Sequence, residues 1–89
     1  MGTKLRIEIR YLSAVRDRTG RGRDEVSFPV GATLREVAAW LKERHALSLP
    51  NRQWMATLNG SGWEQLPGGL STELQEGDVI CLFPPVAGG

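Results

Sequence analysis

The residues with the clearest chemical potential stand last in the chain, which reads Pro84-Pro85-Val86-Ala87-Gly88-Gly89. Two consecutive prolines fix φ and donate no main-chain hydrogen bond, so we expect the chain to leave the globule here as an arm. Five extended residues span about 17 Å, which suffices to enter the active site of another protein. Gly88 and Gly89 lack Cβ atoms and allow a narrow channel to close around the backbone. The carboxylate of Gly89 would be an accessible electrophile once activated.

The other reactive side chains are one cysteine and one histidine. Cys81 cannot form an internal disulfide, and together with His45 it supplies too few ligands for a tetrahedral metal site or an iron–sulfur cluster. Cys81 stands between apolar neighbours, which favours a small buried hydrophobe over a persulfide. His45 lies near a predicted helix end, where a cation interacts well with the helix dipole. The sequence pairs no base or nucleophile with it, so we expect a chain that binds no metal and is not itself an enzyme.

Length and composition favour one soluble globular domain. The chain has 89 residues, of which 40% are hydrophobic and 24% charged, close to the averages for globular proteins. Its net charge of +1 argues against a nucleic-acid-binding protein, because phosphate neutralisation needs a concentrated basic surface. No apolar run approaches the roughly 18 to 20 residues of a membrane helix, and no apolar signal region follows the first residues. We expect a cytoplasmic protein that binds neither nucleic acid nor membrane.

The first third of the chain predicts a β-hairpin. Polar and apolar residues alternate from Lys4 to Tyr11, as in a strand with one buried face. The segment from Arg16 to Arg23 has no apolar face to bury and is interpreted as a turn. Alternation resumes from Glu25 to Phe28, which predicts a second strand that pairs with the first.

One main helix follows. Thr33-Leu34-Arg35-Glu36 has the spacing of a capping box, in which the Thr hydroxyl and the Glu carboxylate each accept a free amide. The helix is predicted to end near Arg44 to Ala46. Its apolar stripe toward the sheet is formed by Leu34, Val37, Ala38 and Leu41.

The second half predicts a third strand, Trp54 to Asn59, that turns at Asn59-Gly60. A short strand near Trp63 to Leu66 would pair back, and Leu70 to Gln75 would form about one helical turn. After a turn whose geometry Asp78 fixes, Val79 to Phe83 is almost continuously apolar, as in a central strand buried on both faces.

The order of these elements predicts an α+β domain, a mixed sheet of four to five strands with one main helix across it. The layers follow from the pattern of elements. By analogy, with the first and last strands adjacent at the centre, the arrangement is the ubiquitin-like β-grasp. We assign residues 1–83 to the β-grasp domain and residues 84–89 to a flexible C-terminal diglycine arm.

The chain resembles the MoaD/ThiS family of small sulfur-carrier proteins over essentially its whole length. The most specific match is residues 76–89, EGDVICLFPPVAGG, which is similar to the family's acidic-Gly-Asp turn, apolar strand and Phe-Pro-Pro-Val-x-Gly-Gly ending. Weaker support comes from residues 11–17, YLSAVRD, with Gly20, and from LNG at residues 58–60.

This resemblance implies a protein co-substrate whose Gly89 carboxylate is adenylated and then converted to a thiocarboxylate, with Gly88 beside it. The chain would bind no cofactor, since ATP is used by a ubiquitin-activating-enzyme-like adenylyltransferase. Sulfur would come from a donor such as a rhodanese or a cysteine desulfurase. The acceptor would be an enzyme such as the large subunit of molybdopterin synthase. The partner-binding residues implied are Phe83, Pro84, Pro85, Val86 and Ala87.

Other functions stay open at this point. The ending VAGG and the segment GGLST at residues 68–72 also resemble carriers that serve cysteine or thio-metabolite biosynthesis. A protein modifier would use the same diglycine to form isopeptide bonds, and a plain β-grasp interaction module would have an inert tail. Among the aromatic residues, Trp40 and Trp54 are expected to pack at the core or sheet edge, whereas Trp63 and especially Phe83 are candidates for partner contact.

Overall fold

The computed structural model describes residues 3–85 and shows a five-stranded mixed sheet in the order β2-β1-β5-β3-β4, with the main helix on one face. The elements are β1 Lys4–Tyr11, α1 Ala14–Thr19, β2 Arg23–Pro29, α2 Leu34–His45, β3 Met55–Leu58, β4 Ser61–Gly62 and β5 Val79–Phe83. Two 3-10 turns, Trp63–Gln65 and Gly69–Ser71, complete the chain between β4 and β5. This architecture confirms the predicted β-grasp arrangement of sheet and helix.

The first and last strands form the centre of the sheet, as predicted. β1 pairs with β5 in parallel, with Glu8 opposite Val79 and Tyr11 opposite Leu82. β1 and β2 form the expected antiparallel hairpin. Because β1 and β5 are parallel, both strands terminate at the same end of the sheet. Pro84 and Pro85 therefore follow β5 beside the end of β1.

Helix α2 begins as the capping box predicts. The Thr33 hydroxyl accepts the amide of Arg35 at 3.3 Å, and the Glu36 carboxylate accepts the amide of Thr33 at 3.3 Å. The helix ends at His45, where Ala46 takes a left-handed conformation with φ of 57°. Three of the predicted stripe residues are fully buried on the sheet: Leu34, Val37 and Leu41.

The turn at Asn59-Gly60 and the turn before β5 are held together by Asp78. Asn59 and Gly60 both have positive φ, 51° and 92°, as the tight turn of a hairpin requires. One oxygen of Asp78 accepts the amide of Gln75 at 2.8 Å, and the other accepts the side-chain amide of Asn59 at 3.0 Å. The predicted structural role of Asp78 is therefore confirmed.

Three local predictions are wrong. The segment predicted as a turn begins with helix α1, because Val15, one residue before the predicted stretch, is fully buried and anchors the helix in the core. The strand predicted near Trp63 to Leu66 is instead β4 at residues 61–62, because the chain turns at Trp63 to bury the indole. The helical turn predicted from Leu70 to Gln75 is the shorter 3-10 turn Gly69–Ser71.

Strand β5 is central but is not buried on both faces. Ile80 and Leu82 are 0% and 1% exposed on the face covered by α2, whereas Val79, Cys81 and Phe83 are only half-buried on the opposite face. The reason is that α2 covers one side of the sheet and no second layer of residues 3–85 covers the other. We call this uncovered side the open face. No helix of the described chain is both long and apolar enough to cross a bilayer.

Candidate functional site

The predicted arm begins at the middle of the sheet. Phe83 is the last residue of β5, Pro84 is half-buried and Pro85 is exposed. The prolines thus follow the last strand directly, as the sequence predicts. The predicted site residues Val86, Ala87, Gly88 and Gly89 lie outside the described residues, and their roles remain predictions.

A row of three apolar side chains crosses the open face at the point where the arm leaves. Met55 of β3 is the register partner of Phe83. On the other side of β5, Leu12 donates its amide to the carbonyl of Leu82 at 2.9 Å, which places it beside Phe83. Leu12 and Met55 are 46% and 42% exposed, and together with Phe83 they form one contiguous apolar strip. We call Leu12, Phe83 and Met55 the arm-base row.

Below this row the open face becomes polar. Cys81 lies between Arg10 of β1 and Thr57 of β3 and is half-buried, so the expectation of a fully buried thiol is wrong: its side chain is on the uncovered face of the central strand. Arg10 donates to Glu8 at 2.6 Å, and this hydrogen bond is the main cause that lowers the pKa of the Glu8 carboxyl. The open face is therefore apolar at the arm and charged farther from it.

His45 takes part in a buried polar network that the sequence did not predict. Its Nε2 lies 3.0 Å from Oδ2 of Asp24, and the same oxygen accepts the hydroxyl of Tyr11 at 2.7 Å. Arg21 lies 3.1 Å from the other oxygen of Asp24. The side chains of His45 and Asp24 are each only 10% exposed. The prediction that no base is paired with His45 is wrong, because the end of α2 packs against β1 and β2 and brings His45 to the Asp24 carboxylate.

Two patterns in the sequence indicate this network in retrospect. Asp24 shares the period-two phase of Val26 and Phe28, so it lies on the core side of β2. His45 follows Leu41 by four positions, which places it on the buried stripe of α2. Two polar residues that each occupy a core-facing position on neighbouring elements usually form a buried pair, because an unpaired buried polar group is costly. The network lies on the helix side of the sheet, and we assign it a structural role.

The network changes the ionisation of its members. Burial alone raises the pKa of Asp24, but the hydrogen bonds from His45 and Tyr11 and the charge of Arg21 outweigh it and hold the pKa below its usual value. Burial and the hydrogen bond to Asp24 raise the pKa of Tyr11 well above its usual range. Asp24 is therefore an anion at neutral pH and stabilises the fold in that form.

Asp24→Asn is expected to destabilise the domain by about 1–3 kcal/mol at pH 7, because buried donors lose their charged acceptor. A carboxyl whose pKa is lowered in the folded state contributes stability above its unfolded pKa of about 3.9 and loses it as the pH falls below that value. Urea unfolding at pH 7 and pH 3 should therefore show a smaller loss of stability on acidification for Asp24→Asn than for the wild type. Asp17→Asn, at an exposed position, is the matched control, and an equal loss in wild type and Asp24→Asn would contradict the assignment.

The tryptophans are mainly structural. Trp63 is 7% exposed and belongs to the core, so the prediction that it contacts a partner is not supported by its position. Trp40 is half-buried and packs edge-on against His45, with ring centroids 5.6 Å apart. Trp54 is half-buried at the sheet edge, with the guanidinium of Arg18 lying 5.8 Å from its ring centroid. The partner-contact candidate that is exposed in part is Phe83, and the structure adds Leu12 and Met55, which the sequence analysis missed.

Within residues 3–85, the arm-base row is an apolar surface beside the start of the arm. Within residues 3–85, no three His, Cys, Asp or Glu side chains are grouped so that they could hold a metal ion. The arm-base row contains no titratable side chain, and the sulfur of Cys81 is not hydrogen-bonded to a base within the described part of the chain. An apolar row of this kind can pack against an apolar surface of another protein.

Comparisons with known proteins agree with this geometry. A family model described as the ThiS family matches residues 9–89. The chain is 32% identical over 85 residues to the molybdopterin synthase sulfur carrier subunit of Escherichia coli, which covers 93% of this chain and 99% of that protein. The solved complex of subunits 1 and 2 of the molybdopterin-converting factor from Helicobacter pylori contains a chain that is 27% identical, with a TM-score of 0.63. The match covers 96% of this chain and 100% of that chain. The HVO 2177 protein of Haloferax volcanii is 26% identical, with a TM-score of 0.77, and the match covers 100% of this chain and 91% of that chain.

Proposed function

This chain belongs to the ThiS family, and from that premise we propose that it is a cytoplasmic sulfur carrier whose Gly89 thiocarboxylate donates sulfur in molybdopterin biosynthesis. The observation that carries the proposal is its 32% identity, over nearly the full length of both chains, to a protein named a molybdopterin synthase sulfur carrier subunit. That name also agrees with the expectation that the chain is a co-substrate and that partner enzymes carry out the catalysis.

The chemistry requires activation before sulfur transfer. An oxygen of the Gly89 carboxylate attacks the α-phosphorus of ATP, pyrophosphate leaves, and an acyl-adenylate forms. Sulfide then attacks the carbonyl carbon and expels AMP, which leaves a thiocarboxylate. If the nucleophile is a persulfide, the product is an acyl disulfide, and a second thiol must reduce it to release the thiocarboxylate. The carrier keeps this reactive sulfur attached to a protein that partner enzymes recognise.

The geometry supports such a carrier because the arm starts at a defined surface. The prolines follow the central strand directly, and Leu12 and Met55 of the arm-base row lie on either side of Phe83, where the arm begins. An apolar row beside the arm gives a partner enzyme a surface to bind while it receives residues 86–89 in its active site. We propose three partners: an adenylyltransferase, a sulfur donor such as a rhodanese or cysteine desulfurase, and the large subunit of molybdopterin synthase. The H. pylori relative is likewise solved as a complex of two subunits.

The test is to incubate the untagged chain with ATP, the adenylyltransferase and a sulfur donor, and to measure its intact mass. Replacement of one oxygen by sulfur is expected, followed by loss of that sulfur when the molybdopterin synthase large subunit and its precursor substrate are added. No change in mass with any of these enzymes would contradict the carrier function. Sulfur loading without transfer to molybdopterin would favour a carrier for cysteine or another thio-metabolite, and covalent adducts with lysines of other proteins would favour a modifier.

Phe83→Asp is expected to weaken binding to the large subunit by at least about tenfold, because a carboxylate would replace the central ring of the arm-base row. Val30→Asp is the matched control, since Val30 is 61% exposed and its amide bonds Thr3 at the opposite end of β1. Binding is measured by titration calorimetry, and thermal unfolding checks that both variants remain folded. Equal weakening by the two substitutions would show that the arm-base row has no special role.

A further inference from the structure

A shallow groove of about 370 Å³ lies beside the Leu12 end of the arm-base row. It is formed where β1 ends and β2 begins, and three arginines line it: Arg10, Arg16 and Arg23. Among residues 3–85, Glu8 is the one acidic residue in its lining. We call this feature the arginine groove. It is continuous with the arm-base row, because Leu12 belongs to both.

Two of the arginines are placed against each other by the strand register. Arg10 of β1 is directly opposite Arg23 of β2. The amide of Tyr11 bonds the carbonyl of Gly22 at 2.9 Å, so that pair is hydrogen-bonded and the Arg10–Arg23 pair next to it is of the non-hydrogen-bonded kind. Side chains approach most closely at such a pair, and like charges there destabilise a sheet. The arrangement therefore costs stability unless an anion lies nearby.

The acidic side chains of the sheet balance this charge only in part. One oxygen of Glu8 lies 2.6 Å from Nε of Arg10 and 3.7 Å from Nη1 of Arg23. The second distance is too long for a hydrogen bond, so the guanidinium of Arg23 keeps its donors for other acceptors. Glu25 is opposite Glu8 and lies farther from the arm. The cations are thus grouped at the arm end of the strands, where the Arg10 and Arg23 side chains are 52% and 63% exposed.

Arg16 of α1 adds a third guanidinium to the groove. Its Nε lies over Gly22, 3.8 Å from the position that a Cβ would take there. In the described part of the chain, Arg16 forms no ion pair. Asp17 follows it in α1 but does not line the groove, and Arg21 is paired with Asp24. The groove therefore presents more positive charge than the surrounding side chains neutralise.

We propose that the arginine groove binds an acidic segment of the protein that covers the arm-base row, through ion pairs of its carboxylates with Arg16 and Arg23. The proposal rests on the proposed function for the identity of that protein, the large subunit of molybdopterin synthase. Because Leu12 belongs to both surfaces, a partner packed on the row also reaches the groove. A guanidinium holds a carboxylate with two parallel N–H···O bonds, so the segment is recognised by geometry as well as by charge.

An acidic protein segment fits this groove better than a nucleic acid does. Neutralising a phosphate backbone requires an extended basic surface, whereas Glu8 and Glu25 follow the arginines directly along the strands. An apolar row bordered by charged side chains is the usual layout of a protein interface. Charges at such a border speed association and fix orientation more than they add affinity. That property suits a carrier that binds and leaves several enzymes in turn.

The double variant Arg16→Gln/Arg23→Gln tests the proposal by titration calorimetry with the large subunit. We expect binding at least about tenfold weaker than wild type at about 50 mM salt, and a smaller difference at about 500 mM, where charges are screened. Arg35→Gln/Lys42→Gln removes the same charge from exposed positions of α2 and should bind normally. Equal weakening by both double variants, or none by the groove variant, would overturn the proposal and leave the proposed function intact. Absence of any wild-type complex would overturn both.

Zero-length cross-linking provides a second test in the assembled complex. Arg23→Lys keeps the positive charge and supplies an amine that a carbodiimide couples to an adjacent carboxylate. We expect a cross-link from position 23 to an Asp or Glu of the large subunit, identified by peptide mass spectrometry. Arg35→Lys, on the helix side of the sheet, is the matched control and should give none. A complex in which position 23 couples only to Glu8 or Glu25 of its own chain contradicts the proposal.

Discussion

Removal of Gly89 is expected to reduce sulfur loading by at least about a hundredfold and to leave the stability of the domain unchanged. The shortened chain would end in the carboxylate of Gly88, about 3.5 Å short of its position in the full-length chain. Adenylation depends on placing the carboxylate against the α-phosphorus of ATP, and a misplacement of only about 1 Å can cost about a hundredfold in rate. Intact mass after incubation with the adenylyltransferase, ATP and sulfur donor measures the effect.

Two controls separate the role of the carboxylate from that of the fold. Within residues 3–85, every buried core residue precedes the arm, so thermal unfolding of the shortened chain should match the wild type. Gly89→Ala keeps the length and adds one Cβ, so it should load more slowly than the wild type if a narrow channel closes around the backbone. Normal loading of the shortened chain would refute the role of Gly89, and normal loading of Gly89→Ala would refute the channel.

Ile80→Asn is expected to destabilise the domain by about 4 kcal/mol or more, which is a large part of the stability of a small domain. Ile80 is fully buried at the centre of the sheet, opposite Ile9 of β1 and Leu58 of β3. The substitution removes a large apolar side chain and places an amide where no described polar group faces it. Urea unfolding followed by tryptophan fluorescence measures the change in free energy.

Val79→Asn is the neighbouring control on the open face. Val79 is half-buried and has no helix packed over it, so its replacement should cost no more than about 1.5 kcal/mol. The contrast between adjacent residues tests the finding that β5 is buried on one face only. Equal destabilisation by the two substitutions would instead support a strand buried on both faces, as the sequence pattern predicted.

Local patterns in the sequence were sufficient for much of the fold. Alternation defined β1 and its hairpin partner, and the Thr33 to Glu36 spacing located the start of α2. These signals are reliable because they arise from contacts between residues close in the chain. Helix α1 was missed because its single buried side chain, Val15, gains its stabilisation from the distant core, and a segment that is otherwise charged has no periodic apolar face.

The apolar run of β5 led to a wrong prediction of burial on both faces, again because burial depends on residues distant in the chain. Five consecutive apolar residues indicate burial on both faces, but a sequence does not state whether the second face is covered by the chain itself or by another protein. We propose that a partner covers part of the half-buried face that is formed by Val79, Cys81 and Phe83. The apolar run is then compatible with burial on both faces only in a complex.

Sequence patterns predicted the four longer strands, the main helix, the α+β class, the position of the arm after the last strand and, through residues 76–89, the family. The arm-base row and the Asp24–His45 network became visible from the three-dimensional arrangement of the chain. The physical reason is that each of these features joins residues far apart in the chain. Leu12, Met55 and Phe83 become neighbours through strand order and register, which depend on how the whole core packs and leave no short-range pattern in the sequence.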